Sequence, residues 1–315
     1  MLTRALRRNI QSEVIEVITE KRKYSVEELK EYKKRSIAKE VWRNYKRSPS
    51  AMLGLIILCI IVIVAIVAQI LYDYEVNIVQ QDIMNRLQKP SVEHIFGTDQ
   101  YGRDIFSRIL YGAKYSLSVG IISVAISCLL GSTLGLIAGY YGGLVENIIL
   151  RTAEIFVGIP SVLLGIAIMA AFGQSIVVLM LAIGLVYVPM FARTARAAVL
   201  PVREQEYIEA AKVSGMSDLS IIFSHVLPNS LSPIIVQVTM GVANGILTAS
   251  QLSFLGLGVP VPAPEWGAML SSGREFIRDY SYLTFFPGLA IMITVLSFNL
   301  MGDGLRDALD PKLKQ

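Results

Sequence analysis

The chain has 315 residues, of which 53% are hydrophobic and only 17% are charged, and this composition excludes an ordinary soluble protein. Its formal net charge of +4 is a signal of membrane topology and gives no support to nucleic-acid binding. The two cysteines, Cys59 and Cys128, both fall inside apolar runs, so they indicate neither a disulfide framework nor a metal-ligand cluster.

Apolar residues are gathered into five runs without Asp, Glu, Lys or Arg, which span 48–72, 115–145, 155–192, 219–264 and 280–302. A helix needs about 20 apolar residues to cross the hydrocarbon core of a membrane, and the third run is long enough for two crossings. The pattern predicts an all-α polytopic membrane protein with six transmembrane helices, near 51–72, 115–139, 148–171, 175–198, 230–257 and 284–302.

Basic residues are divided unequally between the two sides of such a bundle. An even number of crossings puts both termini on one side, which carries 22 Lys and Arg residues against 7 on the other. Because positive charge is retained in the cytoplasm, both termini are predicted to be cytoplasmic.

The segment before the first crossing, residues 1–50, is basic. Ile37, Val41 and Tyr45 recur at helical spacing with Lys and Arg on the other faces, which predicts a helix on the cytoplasmic membrane surface. Residues 1–30 are typical of a solvated basic tail.

The external segment, 73–113, contains the only residues that suggest a metal site. His94, Asp99 and Asp104 lie close in sequence, but the other histidine, His225, falls on the opposite side of the membrane. A folded loop whose charges pair locally is therefore favoured over a metal site.

Small residues recur at every fourth position of the second crossing, namely Ser123, Ser127, Gly131, Gly135 and Gly139. Such a stripe allows helix backbones to approach closely in a bilayer. We therefore predict that this crossing packs against other helices rather than against lipid.

Polar residues share one helical face at the inner end of the third crossing, namely Glu146, Asn147, Arg151 and Glu154. Two interpretations stay open for them. Charges at a helix end usually meet water, which is favoured here, but an interhelical ion pair at a subunit contact would also fit.

Residues 203–228, between the fourth and fifth crossings, are predicted to form a compact pair of short helices. The first ends at Gly215, a residue suited to the left-handed turn that follows a helix, and Pro228 marks the end of the second. Ser217 can cap the second helix, and Asp218 is favourably placed in its first turn.

The first helix of this pair has a surface suited to a partner protein. Glu209 offers a carboxylate for orientation, and one face carries Tyr207, Ala210, Ala211 and Ser214. Alanine side chains allow a partner protein to approach closely. This compact element could therefore transmit a movement along the membrane surface, and a simple connector would not need such features.

The fifth crossing is the candidate for a solute path. Polar and small residues share one of its faces, and these are Gly241, Asn244, Gly245, Thr248 and Gln251. Polar groups in hydrocarbon are costly unless they face protein or water. Asn244, Thr248 and Gln251 are therefore candidate path residues, although helix packing explains the face about as well.

The 203–228 loop resembles the coupling motif of type I ABC importer permeases, EAA-x3-G followed by LP. The matching residues are Glu209, Ala210, Ala211, Gly215, Leu227 and Pro228. His225 departs from the aliphatic residue of many relatives and is similar to the version in peptide permeases. Further motifs resemble the C-type permease subunit of dipeptide, oligopeptide and nickel importers, and they lie at 96–104, 252–258, 264–267 and 299–311.

This resemblance covers about 36–315 and implies a type I ABC importer permease fold with a cytoplasmic coupling helix, in a prokaryotic inner membrane. The basic extension at 1–35 departs from typical members, and its role is open. The implied organisation is an N-terminal extension with a surface helix (1–50), a first transmembrane helix (51–72), an external loop (73–113), a five-helix core (114–303) and a cytoplasmic tail (304–315).

The resemblance also implies partners. The chain would form a heterodimer with a B-type permease and work with two cytoplasmic ATPase subunits, an external substrate-binding protein and membrane lipids. Glu209, Ala210, Ala211 and Gly215 would sit in the helix that docks into an ATPase groove. The sequence contains no G-x4-G-K-[ST], so ATP and Mg are expected on the partners and no cofactor on this chain.

Together these features predict the transport subunit of an ATP-driven importer. Its expected cargo is dipeptides or oligopeptides, and nickel or another small solute is the alternative cargo. An intramembrane hydrolase would need H-E-x-x-H, paired aspartates or a Ser/His pair within the crossings, and the crossings contain none. An ATP-independent channel or secondary transporter usually has an internal repeat or intramembrane ionisable residues, which are not evident here.

Overall fold

A computed structural model describes residues 37–309, and every regular element within that range is helical apart from an isolated bridge between Thr98 and Asp104. The predictions for residues 1–36 and 310–315 lie outside it. The α-helices are α1 (Ile37–Tyr45), α2 (Pro49–Leu71), α3 (Ile105–Tyr141), α4 (Gly143–Val157), α5 (Ser161–Phe172), α6 (Ile176–Arg203), α7 (Glu206–Val213), α8 (Asp218–Ile221), α9 (Leu227–Phe254), α10 (Trp266–Gly273) and α11 (Tyr282–Leu309).

Helix α1 belongs to a unit of its own that ends at Arg47, and the rest of the chain forms the second unit. The rings of Trp42 and Tyr45 stack with centroids 5.9 Å apart, and Lys46 Nζ lies 4.9 Å from the Trp42 ring centroid. The helix predicted from the spacing of Ile37 and Tyr45 is thus confirmed.

Five helical stretches in the described part of the chain are long and apolar enough to cross a membrane, and these are α2, α3, α6, the stretch Asp218–Phe254 and α11. The predicted third crossing, 148–171, is not a straight helix. It is the pair α4 and α5, bent by 87°, and it makes a sixth crossing only if the pair counts as one. Pro160 lacks an N–H and disfavours helical backbone at Ile159, so the helix breaks there.

Several predicted helix ends were wrong because charged residues continue the helices beyond the apolar runs. Helix α3 begins at Ile105, where the Asp104 carboxylate accepts a 2.8 Å hydrogen bond from Ser107 N–H, so the loop before it ends well before residue 113. Helix α11 continues to Leu309, so residues 304–309 do not form a separate tail.

The second helix of the 203–228 loop also differs from its prediction, because Pro228 does not end it. Helix α8, a π-helical turn at Ile222–Val226 and α9 form one stretch from Asp218 to Phe254. In the π-helical turn, Leu227 N–H donates a hydrogen bond to the Ile222 carbonyl. A π-turn adds one residue to the helix, and Pro228 follows in the first turn of α9, where a missing N–H is tolerated.

The stripe of small residues on α3 packs against α6, as predicted. Ser127 Oγ donates a 2.7 Å hydrogen bond to the Gly184 carbonyl of α6. A Cβ atom at Gly131 would lie 2.5 Å from the Val188 oxygen. Helices α3 and α6 therefore approach so closely that only glycine fits at Gly131.

The segment between α2 and α3 is a folded loop whose charges pair locally, as predicted. The Asp99 carboxylate accepts hydrogen bonds from Arg103 Nε at 2.7 Å and from the Tyr101 backbone N–H at 2.8 Å. His94 Nδ1 lies 3.0 Å from Asp104 Oδ2. Residues 37–309 contain no group of three side chains suited to hold a metal ion.

A buried glutamate fixes the short helix α10 against α3. The Glu265 carboxylate is fully buried and caps α10 by accepting hydrogen bonds from Gly267 N–H at 2.9 Å and Ala268 N–H at 2.8 Å. Trp266 Nε1 donates a 3.0 Å hydrogen bond to the Ile109 carbonyl of α3. Burial raises the pKa of the Glu265 carboxyl.

Candidate coupling loop and solute face

The first helix of the coupling loop, α7, has one face inside the protein and one in solvent. Ile208 and Ala211 are buried in a cluster that also contains Val199 of α6 and Val226. Glu209 is exposed. The hydrophobic cluster therefore anchors α7 to its own chain and orients the opposite face outward.

This packing divides the face of small residues that was predicted to contact a partner protein. Tyr207 is 43% exposed, and Ala210 and Ser214 are exposed as well. Ala211 is turned into the cluster, where it contacts this chain and not a partner. A partner surface can therefore reach Ala210 and Glu209 but not Ala211.

Gly215 makes the turn that was predicted for it. Its φ angle is +78°, in the left-handed region that favours glycine. Its N–H donates to the Lys212 carbonyl at 3.0 Å, and the N–H of Met216 donates to the Ala211 carbonyl at 3.2 Å. Ser217 caps α8 by accepting a 3.4 Å hydrogen bond from Ser220 N–H, as predicted.

Polar contacts tie the loop to the end of α3. Tyr140 Oη donates a 2.7 Å hydrogen bond to the Asp218 carboxylate, and Lys212 Nζ lies 5.2 Å from the Tyr140 ring centroid. One residue earlier on α3, the Gly139 carbonyl accepts a 2.9 Å hydrogen bond from Arg203. The sequence pattern did not predict a role for Tyr140, whose only signal was its position at the end of a crossing beside the loop.

The two remaining residues of the motif lie where the loop joins α9. Leu227 packs partly buried against the cluster that holds α7, and Pro228 is exposed. Both belong to the continuous stretch Asp218–Phe254, so the second half of the loop and α9 form one helical stretch.

The polar residues of α4 fall into two groups: one forms an ion pair with another helix, and the others are exposed at the surface. Glu146 forms an ion pair with Arg196 of α6, in which Arg196 Nε donates at 2.7 Å to Glu146 Oε1. This is an interhelical pair, but it lies within the chain and not at a subunit contact. Arg151 and Glu154 pair at 3.2 Å on the surface of the chain, with side chains 81% and 59% exposed.

The three candidate path residues of α9 differ in whether their side chains are exposed. Asn244 and Gln251 are exposed, as a path would require. Thr248 is buried, with its hydroxyl 2.8 Å from Tyr187 Oη of α6. The buried side of α9 thus packs against α6, and only two of the three predicted side chains face open space.

Beside Gln251, α9 and α11 line an open cavity of about 540 Å³ at the surface. Its wall is mainly aliphatic, and it includes Asn299 of α11, which begins the 299–311 motif but was not predicted to lie beside the path. The available signal was an amide within the charge-free run 280–302. We call this space the outer cavity.

Comparison with known families identifies the chain. A family model described as binding-protein-dependent transport system inner membrane component matches residues 131–315. The chain belongs to this family. A second model, the N-terminal TM domain of oligopeptide transport permease C, matches residues 36–90 of this permease.

Curated relatives cover nearly all of the permease. It is 50% identical over 276 residues to the dipeptide transport system permease protein DppC of Alkalihalophilus pseudofirmus, covering 88% of this chain and 90% of the relative. It is 43% identical over 277 residues to the glutathione transport system permease protein GsiD of Pectobacterium atrosepticum, covering 88% and 91% respectively.

Solved structures show the same fold at low sequence identity. The methionine ABC transporter MetNI, in inward-facing conformations, superposes with a TM-score of 0.54 at 16% identity, covering 64% of this chain and 96% of that one. A second crystal form of MetNI gives a TM-score of 0.53 at 17% identity. The predicted all-α ABC importer permease fold is confirmed, and the chain is a permease subunit of the inner membrane.

Proposed function

We propose that this permease carries dipeptides or oligopeptides and that α7 couples it to ATP hydrolysis. The observation that carries the proposal is the hydrogen bond between Tyr140 and Asp218, which ties the coupling loop to a membrane helix. The 50% identity to a dipeptide permease supports the peptide cargo, and the glutathione relatives also carry a peptide.

The partners follow from the family. The permease would pair with a homologous B-type permease, two cytoplasmic ATPases and an external binding protein, and both of its termini would be cytoplasmic. The ATPases would hold ATP and Mg, so this chain would catalyse no reaction itself. Glu209 and Ala210 would contact an ATPase, while Ala211, Gly215 and Leu227 would hold the docking helix in place.

The continuous helix from Asp218 to Phe254 supplies the route by which a push would be transmitted. A movement of the docked loop would displace α8, and the π-turn and α9 would move with it. Asn244 and Gln251 lie on the exposed face of α9, so the same movement would change the path. Thr248 would act indirectly, by fixing α9 against Tyr187.

The test is uptake by the assembled complex. A tagged permease is purified in mild detergent with its co-expressed partners and reconstituted into vesicles with the binding protein, and uptake of labelled alanylalanine is measured. We expect recovery of a second permease and Walker-motif ATPases, and uptake that requires hydrolysable ATP. Transport by the chain alone, without an ATPase, would instead establish a channel or a secondary transporter.

A further inference from the structure

A second groove lies on the permease near the coupling loop, between α6, α9 and the end of α11. It has a volume of about 760 Å³, and unlike the outer cavity it has substantial polar lining. Its polar side chains include Asn229 and Gln237 of α9 and Arg306 of α11. We call this space the loop-side groove.

The groove and the outer cavity occupy one continuous face of the protein. The residues of α9 that line the two spaces step by three or four positions, which keeps them on one side of a helix, and they include Asn229, Pro233, Gln237, Met240, Leu247, Gln251 and Phe254. On α11 the lining residues follow the same spacing, through Met292, Val295, Asn299, Arg306 and Leu309. Asn244 continues the exposed stripe between the two spaces.

The two spaces are separated where α9 and α11 touch. A Cβ atom at Gly302 of α11 would lie 2.8 Å from Thr239 Oγ1 and 3.1 Å from Met240 Cγ of α9. The loop-side groove is therefore distinct from the outer cavity and lies farther along the same face, toward the coupling loop.

The chemistry of the groove fits a small ligand that has both an anionic end and peptide groups. Arg306 is exposed and forms no ion pair with any residue from 37 to 309. Gln237 lines the groove, and its Nε2 is covered and has no hydrogen-bond partner in the same range, so its amide must turn outward to meet a ligand. A guanidinium group binds carboxylates through two parallel hydrogen bonds, and a carboxamide can pair with a peptide group.

We propose that the loop-side groove binds the carboxyl end of the transported peptide, with Arg306 on its terminal carboxylate and Gln237 on the adjacent peptide group. This inference rests on the proposed function, because it assigns the final site of the same path. Recognition of groups that every peptide shares would admit many side chains. Release from this site then competes with the attraction of Arg306 for the carboxylate.

The experiment measures binding to the assembled complex in nanodiscs, without nucleotide and without the binding protein, so that the peptide site of the binding protein does not contribute. The probes are alanylalanine and its C-terminal amide. For the wild type we expect the acid to bind at least tenfold more tightly than the amide. For Arg306→Gln we expect equal and weak binding of both, and for Arg306→Lys an intermediate preference, because lysine keeps the charge without the planar fork.

Gln237→Leu should weaken the binding of acid and amide by the same factor, since it removes only the contact to the peptide group. The control is Arg151→Gln, which removes an exposed guanidinium outside the groove and should leave both affinities unchanged. Every variant must retain its ATPases on purification. Equal binding of the two probes by the wild type, or full discrimination by Arg306→Gln, would overturn the proposal.

Uptake of alanylalanine by the wild-type complex separates this inference from the proposed function. If uptake fails, the assignment as a peptide importer fails with it. If uptake is normal but the acid is not preferred over the amide, only the role of the loop-side groove is wrong.

Discussion

The phenol of Tyr140, in the last turn of α3, donates a 2.7 Å hydrogen bond to the carboxylate of Asp218, in the first turn of the loop helix α8. Tyr140 is buried, whereas Asp218 is exposed. The bond therefore joins a buried part of the membrane bundle to the surface element that we propose for coupling.

We expect Tyr140→Phe to lower peptide uptake per ATP hydrolysed, because it releases the loop from α3 while the aromatic ring stays in place. A double-mutant cycle with Asp218→Ala isolates the pair. Its coupling free energy of unfolding should be about 0.5–1 kcal/mol, toward the lower part of the usual range because one partner is exposed. Strictly additive effects would show that the two groups do not cooperate.

A bulky residue at Gly215 should leave the permease in the membrane but uncouple uptake from ATP hydrolysis. A Cβ atom at this position would point into open space, with no neighbouring side chain or backbone within 4 Å, so the effect of Gly215→Val is one of backbone conformation. A left-handed conformation costs an ordinary L-residue about 1–2 kcal/mol. Gly215→Asn is the matched control, since asparagine tolerates this conformation and should keep most of the coupling.

A bulky residue at Glu209 tests whether the exposed face of α7 contacts a partner, without changing the backbone conformation of the loop. Glu209→Trp should assemble into the membrane normally, because the side chain is exposed, but should reduce ATP-driven uptake by blocking the docking surface. The control is Val92→Trp, in the segment between α2 and α3, where a side chain 99% exposed already projects outward and far from α7 in the sequence. Uptake and ATPase activity are measured in vesicles, and normal uptake by the Glu209 variant would refute the docking role.

Local patterns predicted the crossings and the loop well, because each depends on neighbouring residues. The glycine at 215 and the stripe through Gly131 have the conformation and packing that their sequence indicates. A proline predicts that a helix can kink at Pro160, but neither the 87° size of that bend nor the continuation through Pro228 was predicted. Pro160 breaks its helix, whereas Pro228 follows a π-turn and falls in the first turn of α9, where its missing N–H is tolerated.

The candidate path was predicted less well than the loop for a related reason. Helical spacing places Thr248 near Asn244 and Gln251, but it cannot tell which of them a neighbouring helix covers. Tyr187, more than 50 positions away along the chain, takes Thr248 out of the exposed face. A partner residue on another helix leaves no signal in the sequence around Thr248.

This division of the α9 face gives a direct test. Gln251→Leu keeps the size of the side chain but removes its amide from the outer cavity, so we expect lower peptide uptake at unchanged stability. Thr248→Val removes the hydroxyl that meets Tyr187, and we expect a loss of about 1 kcal/mol in the free energy of unfolding. The opposite result, with Thr248→Val selectively impairing uptake, would return Thr248 to the path.

The buried carboxyl of Glu265 is expected to make the stability of the permease depend on pH. Burial raises its pKa above the ordinary value of 4.5, although hydrogen bonds from Gly267 and Ala268 oppose the shift in part. Between those two pKa values the folded state binds more protons than the unfolded state, so the contribution of this group to stability falls as pH rises.

Glu265→Gln cannot ionise and therefore lacks this dependence. The difference in melting temperature between the wild type and Glu265→Gln, measured from pH 5 to pH 8, should shift in favour of the variant as pH increases. Glu93→Gln is the matched control, because it removes an exposed carboxylate from the α2–α3 segment without touching the buried site. A difference that moves toward the wild type with rising pH would show that the cap is held as a stabilised carboxylate, with the two backbone N–H groups outweighing the cost of burial.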